Sequence, residues 1–485
     1  MAGQAQNGRV DSVNESRYGY RPEMNGRLLP RLAVVALLLA LTIPRMAQRG
    51  MFSDGLVHAA IARNMEIGVG SLWAPNYTQT AAIEYYEHPP LGLALEAVAF
   101  RALGDRLIVE RCYSLLVFAL HAAAIAAIWR RLRSAPLDWL PVLFWLTPSV
   151  VSWGAVNNML ENTQALLTTS AILLMLDASR ASTAAATAIG STVAGVTVVA
   201  AVLTKGPAGF FPLVAPLVFR WLLLPPAASA AERRRRALAV LTPPLVVMAA
   251  GAMLAAYEPS RHNLMMYART QLVPSLLGQR EISEPLGIVR HLLVGIGGRM
   301  AALLGLCWWL ARRTRGSPPP TGADRTAAGA FMLLGACAAG PFAFSPRLSG
   351  HYLLPAVPMF ALGFASLAAA FVDARVRKTL IAVTLLAVAV LAGSRERRDD
   401  ALVRDLAAIE QVMPRAILIG ACPHPRAARD WALHSYVQRW YRVSLDARAQ
   451  PVNGWFLQAD AACPVPESCT PAAGGVHLTL FRCVR

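Results

Sequence analysis

Residues 183–207 read TAAATAIGSTVAGVTVVAAVLTKGP. No charged residue lies between Arg180 and Lys205. At 1.5 Å of rise per residue such a run crosses a hydrocarbon core of about 30 Å, so it predicts a transmembrane helix over 183–203. The Lys-Gly-Pro that follows puts one cation at the interface and then two residues that do not continue a helix.

Outward from this stretch the pattern repeats. Apolar runs fall at 28–44, 109–129, 137–153, 163–177, 207–224, 237–256, 288–310, 327–345, 352–371 and 379–393. With the first, they predict eleven spans. The composition agrees: of 485 residues 55% are hydrophobic and 15% charged, where a soluble domain carries about a quarter charged. Mean hydropathy is +0.43. A disordered chain, a fibrous chain and a single soluble domain are excluded.

The net charge of +18 does not point to nucleic acid, because the cations sit in short clusters between apolar runs. With the N-terminus inside, the cytoplasmic segments hold Arg9 to Arg31, Arg130/Arg131/Arg133, Arg180, Arg220 with Arg233–Arg236, Arg312/Arg313/Arg315/Arg325 and Arg375/Arg377/Lys378. Those 21 cations make every inside loop basic, as the positive-inside rule asks. An odd number of spans then puts the C-terminus outside.

The expected organisation is a disordered cytoplasmic tail (1–27), a transmembrane domain (28–393) and a small extracytoplasmic domain (394–485). The fold class is all-α and polytopic, with interfacial helices at Ala59–Gly68 and Leu91–Leu103 in the first outside loop. In the tail, Ala416–Ala421, Tyr441–Leu445, Gly454–Leu457 and Val476–Val484 read as strands and Arg426–Trp440 as a helix. Cys422, Cys463, Cys469 and Cys483 all lie there. Four cysteines in an oxidising compartment predict two disulfides, with three connectivities open. Cys112, Cys307 and Cys337 lie in or beside spans and read as small buried hydrophobes.

Ionisable residues at membrane depth or at its edge are expensive and mark candidate sites. Asp54 follows the first span; it is also suited to cap the helix after it. The run Glu84-Tyr-Tyr-Glu-His-Pro-Pro-Leu-Gly (84–92) carries Glu87 and His88, with paired prolines fixing the backbone. Its Tyr85 and Tyr86 suit interfacial anchoring. Glu161 stands in a polar knot at 157–163, where turn chemistry accounts for the asparagines only. Lys205 is one of two lysines in the chain, the other being Lys378; snorkelling is its plain alternative. Arg347, His351 and Tyr352 together suggest an anion site.

Taken in order, Asp54, Tyr-Glu-His-Pro-Pro-Leu-Gly (86–92), Met-Leu-Glu-Asn (159–162), Thr-Lys-Gly (204–206) and Tyr-Leu-Leu-Pro (352–355) resemble the membrane glycosyltransferases of family 39. This is the protein O-mannosyltransferase and lipid A aminoarabinose transferase group, of the GT-C fold. The resemblance covers roughly residues 45–370. It implies a sugar donor on a polyprenyl phosphate, catalysis at the outer leaflet, and Asp54 as the acidic residue of the first loop. Two positions depart from the pattern. His88 stands where the aminoarabinose transferases carry Lys, and Gly55 follows Asp54 where the O-mannosyltransferases carry Glu.

The expectation is therefore an inverting glycosyltransferase of the inner (plasma) membrane. Catalytic candidates are Asp54, Glu87, His88 and Glu161. Substrate-binding candidates are Tyr86, Lys205, Arg269, Arg347, His351 and Tyr352, with Arg269 chosen because the outside loop 256–287 must cover the cavity. Expected partners are the polyprenyl-phosphate sugar, a lipid, glycan or protein acceptor, and membrane lipids, but no nucleic acid. No Asp-X-Asp motif appears, so no cofactor is assigned, and a divalent metal is neither implied nor excluded. The alternative class is a transporter or flippase of an anionic lipid-linked substrate. It calls for charges near the bilayer midplane and inverted repeats, and the sequence has neither. A non-catalytic assembly subunit would have no need of Asp54.

Overall fold

A computed structural model describes residues 22–133, 136–277, 287–313, 319–343, 349–393, 397–422, 431–459 and 463–484. Each of the eleven apolar runs is helical over most of its length. Among the described residues five helices are long and apolar enough to cross a membrane: Leu28–Met46, Val109–Leu132, Ala184–Lys205, Ala230–Ala256 and Gly287–Arg312. The first eight helices are α1 (Pro22–Met46), α2 (Ser53–Glu66), α3 (Leu91–Leu103), α4 (Val109–Leu132), α5 (Trp139–Leu146), α6 (Ser149–Val156), α7 (Leu160–Arg180) and α8 (Ala184–Lys205).

One expected span is not straight. The run 137–153 forms α5 and α6, bent by 81°. Pro148 sits at the break with an extended ψ of 124°. It has no N–H to offer the preceding turn, and a sharp kink follows.

The helices pack around a core that includes Phe118, Phe144, Trp145 and Phe331, all 1% exposed or less. Gly195 lets α8 approach Ala230–Ala256 closely: a Cβ there would lie 2.8 Å from Val246. Small residues at such crossings are the usual means of packing helices in lipid. The opposite face of Ala230–Ala256 exposes Leu241, Leu245 and Met248, as a lipid-facing surface should. At the far end of α4 from the site, Asp138 takes Arg31 at 2.9 Å and Arg130 at 3.0 Å.

The first outside loop folds into α2 and α3. The second matches the expected Leu91–Leu103; α2 begins earlier than expected, at Ser53. Its N-cap is Phe52, with no side-chain cap bond, and Asp54 lies within the first turn. Asp54 is therefore not a capping residue, although a carboxylate there still favours the helix dipole.

The C-terminal unit holds a five-stranded sheet: β1 (Leu418–Ala421), β2 (Ser444–Asp446), β3 (Trp455–Gln458), β4 (Cys469–Gly474) and β5 (Thr479–Cys483). Strand order is β2-β1-β3-β5-β4. β1 runs parallel to β2 and β3, and β5 is antiparallel to β3 and β4. Helix Trp431–Tyr441 links β1 to β2; the start of the expected helix at Arg426 lies outside the described residues. A further helix, Asp400–Ile409, and the strand β4 are additions to the sequence reading. β4 contains Pro471 and small residues without alternation, which suits an edge strand and hides it from a periodicity search. The disulfides are Cys422–Cys463 and Cys469–Cys483.

This unit is clamped to the membrane part. Arg439 is 1% exposed and holds Glu110 at 2.8 Å and Asp105 at 2.9 Å. Arg63 of α2 donates to the main-chain oxygens of Gln438 and Arg439 at 3.1 and 3.3 Å. Tyr436 Oη accepts from Met51 N at 2.8 Å.

Candidate active site

The site forms where α7 begins and α8 ends. Glu161 is in the first turn of α7, and Lys205 in the last turn of α8. Each charge has the sign its helix terminus favours. The two helices run antiparallel, so these termini meet: Lys205 Nζ lies 3.2 Å from Glu161 Oε1, with side chains 7% and 1% exposed. Gly92 brings the start of α3 against both tips, for a Cβ there would sit 2.8 Å from Leu160 and from Thr204. That approach carries His88 to the pair. Lys205 Nζ donates to His88 Nε2 at 2.9 Å.

His351 Nε2 lies 3.6 Å from Glu161 Oε1, its ring stacked on Trp153 at 5.5 Å. Tyr352 follows, stacked on Phe342 at 5.8 Å. Gly206 after Lys205 has φ +93° and ψ −159°, a region open essentially to glycine alone. A Cβ there would lie 2.1 Å from the Tyr267 hydroxyl.

Asp54 reaches the same cluster from α2. Burial raises its carboxyl above the usual range; the nearby Lys205 charge opposes that, and the Glu161 charge adds to it. Gly55 beside it packs on the Asn157 carbonyl, which a Cβ would approach to 2.0 Å. The glycine in place of an acid after Asp54 thus has a steric reason. Asn157 Oδ1 accepts from Phe52 N at 2.8 Å, so the 157–163 knot fixes the start of α2. His58, one turn beyond Asp54, is 1% exposed. Burial, then the Lys205 charge, lowers it to about 3.

Two cavities meet at this cluster. One, of about 230 Å³, is lined by Glu161, Lys205, Gln164, Tyr267, Phe342 and Tyr352, among others. The other, of about 180 Å³, is lined by Asp54, His58, Tyr77, Tyr85 and Trp431. Glu87 and His88 line both and form the partition. Among the described residues no group of three or more His, Cys, Asp or Glu side chains is placed to hold a metal ion.

Of the sequence candidates, Asp54, Glu87, His88, Glu161, Lys205, His351 and Tyr352 converge here. Tyr86 stands apart: its hydroxyl donates to Glu84 at 2.7 Å and its ring meets His262 edge-on at 5.7 Å. Arg269 is exposed; from its segment Tyr267, Gln271 and Ser275 face the first cavity instead. Arg347 lies outside the described residues. The sequence reading names none of His58, Tyr77, Gln164 and Tyr267, and gives Tyr85 only as an interfacial anchor.

The fold matches solved structures. The chain is similar to ArnT from Cupriavidus metallidurans bound to undecaprenyl phosphate, with TM-score 0.61 and 17% identity over 94% of this chain and 97% of that one. It is likewise similar to ArnT from Cupriavidus metallidurans in the apo state, with TM-score 0.59 and 15% identity over the same shares. The chain has the GT-C fold in common with them. No protein-family model matches the chain, and no curated protein matches it.

Proposed function

We propose that this protein transfers a sugar from a polyprenyl-phosphate donor to an acceptor hydroxyl at the outer face of the membrane, with inversion. The observation that carries the reading is the buried lysine: Lys205 sits between Glu161 and His88 at the wall of a largely apolar cavity. A buried ammonium held by one carboxylate and one imidazole is a preorganised partner for a second anion. The fold shared with a protein bound to undecaprenyl phosphate supports the same choice.

In the reaction the acceptor oxygen attacks the anomeric carbon as the bond to the phosphate oxygen breaks. Charge then grows on the leaving phosphate and positive character on the sugar. Lys205 is placed to meet that phosphate charge, which stabilises the transition state more than the ground state. Tyr352 stands on the same wall. Asp54 takes the proton of the acceptor hydroxyl. Its raised carboxyl is a stronger base than an exposed aspartate. Glu161 and His351 hold Lys205 and its surroundings in place, and Glu87 and His88 separate the two cavities.

The basic loops support a cytoplasmic N-terminus and a periplasmic C-terminal unit in the inner membrane. A periplasm-active reporter fused at the C-terminus should be active. The function itself is tested by incubating the purified protein with radiolabelled polyprenyl-phosphate sugars and a membrane extract. Label should leave the donor and appear on an acceptor only when protein is present. Movement of intact donor across proteoliposomes without transfer would instead support a flippase.

A further inference from the structure

The second cavity is more than an entrance to Asp54. Its lining side chains include two that are buried and, among the described residues, leave a polar atom without a partner: His58 Nδ1 and Tyr77 Oη, each residue 1% exposed. Both residues line the cavity, and an unpaired buried polar atom costs about 1–3 kcal/mol, so a ligand that draws these atoms into a hydrogen bond recovers that cost. His58 is hydrogen-bonded to the Asn158 main chain and is neutral, which leaves Nδ1 as an acceptor. Tyr77 offers an O–H donor. Asp54 and Glu87 add carboxylate acceptors.

The rim comes from the other unit. Trp431 opens the helix Trp431–Tyr441, is 52% exposed, and lines this cavity. That helix is fixed by the Arg439 bonds to Glu110 and Asp105, so the indole is held on a rigid element. A rigid, half-exposed aromatic face beside a polar cavity binds a ligand with one apolar face and a polar edge.

From these groups we infer that the chamber bounded by Asp54, His58, Tyr77, Glu87 and Trp431 binds a carbohydrate ring of the acceptor, with Trp431 as a specificity-determining contact supplied by the C-terminal unit. The inference rests on the transferase reading and names the acceptor class for it. A sugar hydroxyl both donates and accepts, so it answers His58, Tyr77 and the carboxylates together, while the C–H face of the ring lies on the indole. An anionic group is opposed by the Asp54 and Glu87 carboxylates. A cationic group is opposed by Lys205, whose charge acts on both Asp54 and His58.

The test uses the full-length protein in detergent, a panel of methyl glycosides of common hexoses and pentoses, and saturation-transfer NMR with titration. Choline and a serine-containing peptide complete the panel. At least one glycoside should bind. Tyr77→Phe and Trp431→Ala should each weaken it roughly 5–10-fold, the worth of a hydrogen bond or an aromatic contact. Affinity for undecaprenyl phosphate should not change in either variant. Tyr77 Oη has no hydrogen-bond partner among the described residues, so Tyr77→Phe removes none of their bonds. Binding of no glycoside overturns the inference, as does binding indifferent to both substitutions. Binding of choline or the peptide in place of glycosides overturns it too. Glycoside binding in a protein that transfers no sugar would sink the transferase reading and leave the chamber standing. Transfer to the peptide without glycoside binding would do the reverse.

Discussion

Glu161 and Lys205 form an ion pair of 3.2 Å, buried where one helix begins and the other ends. Their charges are matched to the helix dipoles and to each other, and both side chains line a cavity. Such a pair is poised for a third party more than it is optimised for stability.

Breaking the pair on one side should therefore be costly. Glu161→Gln leaves a buried ammonium and is expected to lose about 3–5 kcal/mol. The double variant Glu161→Gln with Lys205→Met should recover most of that stability in denaturant unfolding. It should still fail to bind undecaprenyl phosphate, because the cation is gone. Full affinity in the double variant would remove Lys205 from the donor site.

Gly206 should tolerate no side chain. Gly206→Ala forces a Cβ into a region of φ and ψ that costs about 1–3 kcal/mol, and into the Tyr267 hydroxyl at 2.1 Å. The expected result is a lower unfolding midpoint together with weaker donor binding, since Lys205 is the preceding residue. Tyr267→Phe added to it should relieve the clash but not the backbone strain, giving partial recovery.

The clamp between the two units should fail when Arg439 is lost. Arg439→Met leaves Glu110, 2% exposed, without its partner, a loss of about 3–5 kcal/mol. Arg439→Lys should rescue little, because the guanidinium makes two bonds to Glu110 and one each to Asp105 and the Arg106 carbonyl. Protease sensitivity of the C-terminal unit in intact protein reads the loosening.

Stability should fall between about pH 4.5 and pH 8 through Glu96. It is fully buried on α3, and burial first, with the Glu110 charge second, raises its carboxyl to about 8. A carboxyl raised on folding favours the protonated native state. Its contribution is present below about pH 4.5 and lost as pH rises through 8. Glu96→Gln keeps a carbonyl oxygen for Asn158, which donates to Glu96 at 2.7 Å. That variant should hold its midpoint between about pH 5 and pH 8 while the parent declines.

Much of this was legible in the sequence. Helix α3 falls where apolar spacing puts it, and all eleven apolar runs are helical, because composition over twenty residues decides a span locally. The motifs Glu-His-Pro-Pro, Leu-Glu-Asn and Thr-Lys-Gly do meet. What could not be read is which atoms touch. His88 and Lys205 are 117 positions apart, and their contact depends on how closely Gly92 lets three helices approach. His58 and Tyr77 look like ordinary helix and loop residues; only the folded chain shows their unpaired atoms. Tyr86 and Tyr85 are adjacent and equivalent as text, and the backbone turns the second, not the first, toward Asp54. Arg269 was chosen because its loop had to cover the cavity, and a side chain's direction on an irregular helix follows no period.

The central claim is that Asp54 activates the acceptor and does not merely start a helix. Asp54→Asn keeps the side chain's shape, and Phe52 already occupies the cap position, so the fold should survive. Transfer from radiolabelled polyprenyl-phosphate sugar should fall by roughly 10²–10⁴-fold, the usual worth of a general base, with undecaprenyl phosphate affinity unchanged. In the parent the acid limb of the rate should lie above the ordinary carboxylate range, because burial raises the Asp54 carboxyl and only its ionised form accepts the proton. The transfer rate and the undecaprenyl phosphate affinity of Asp54→Asn, measured beside the parent, decide the matter: a rate loss at constant affinity is the predicted result, and an Asp54→Asn enzyme at full rate would contradict the account.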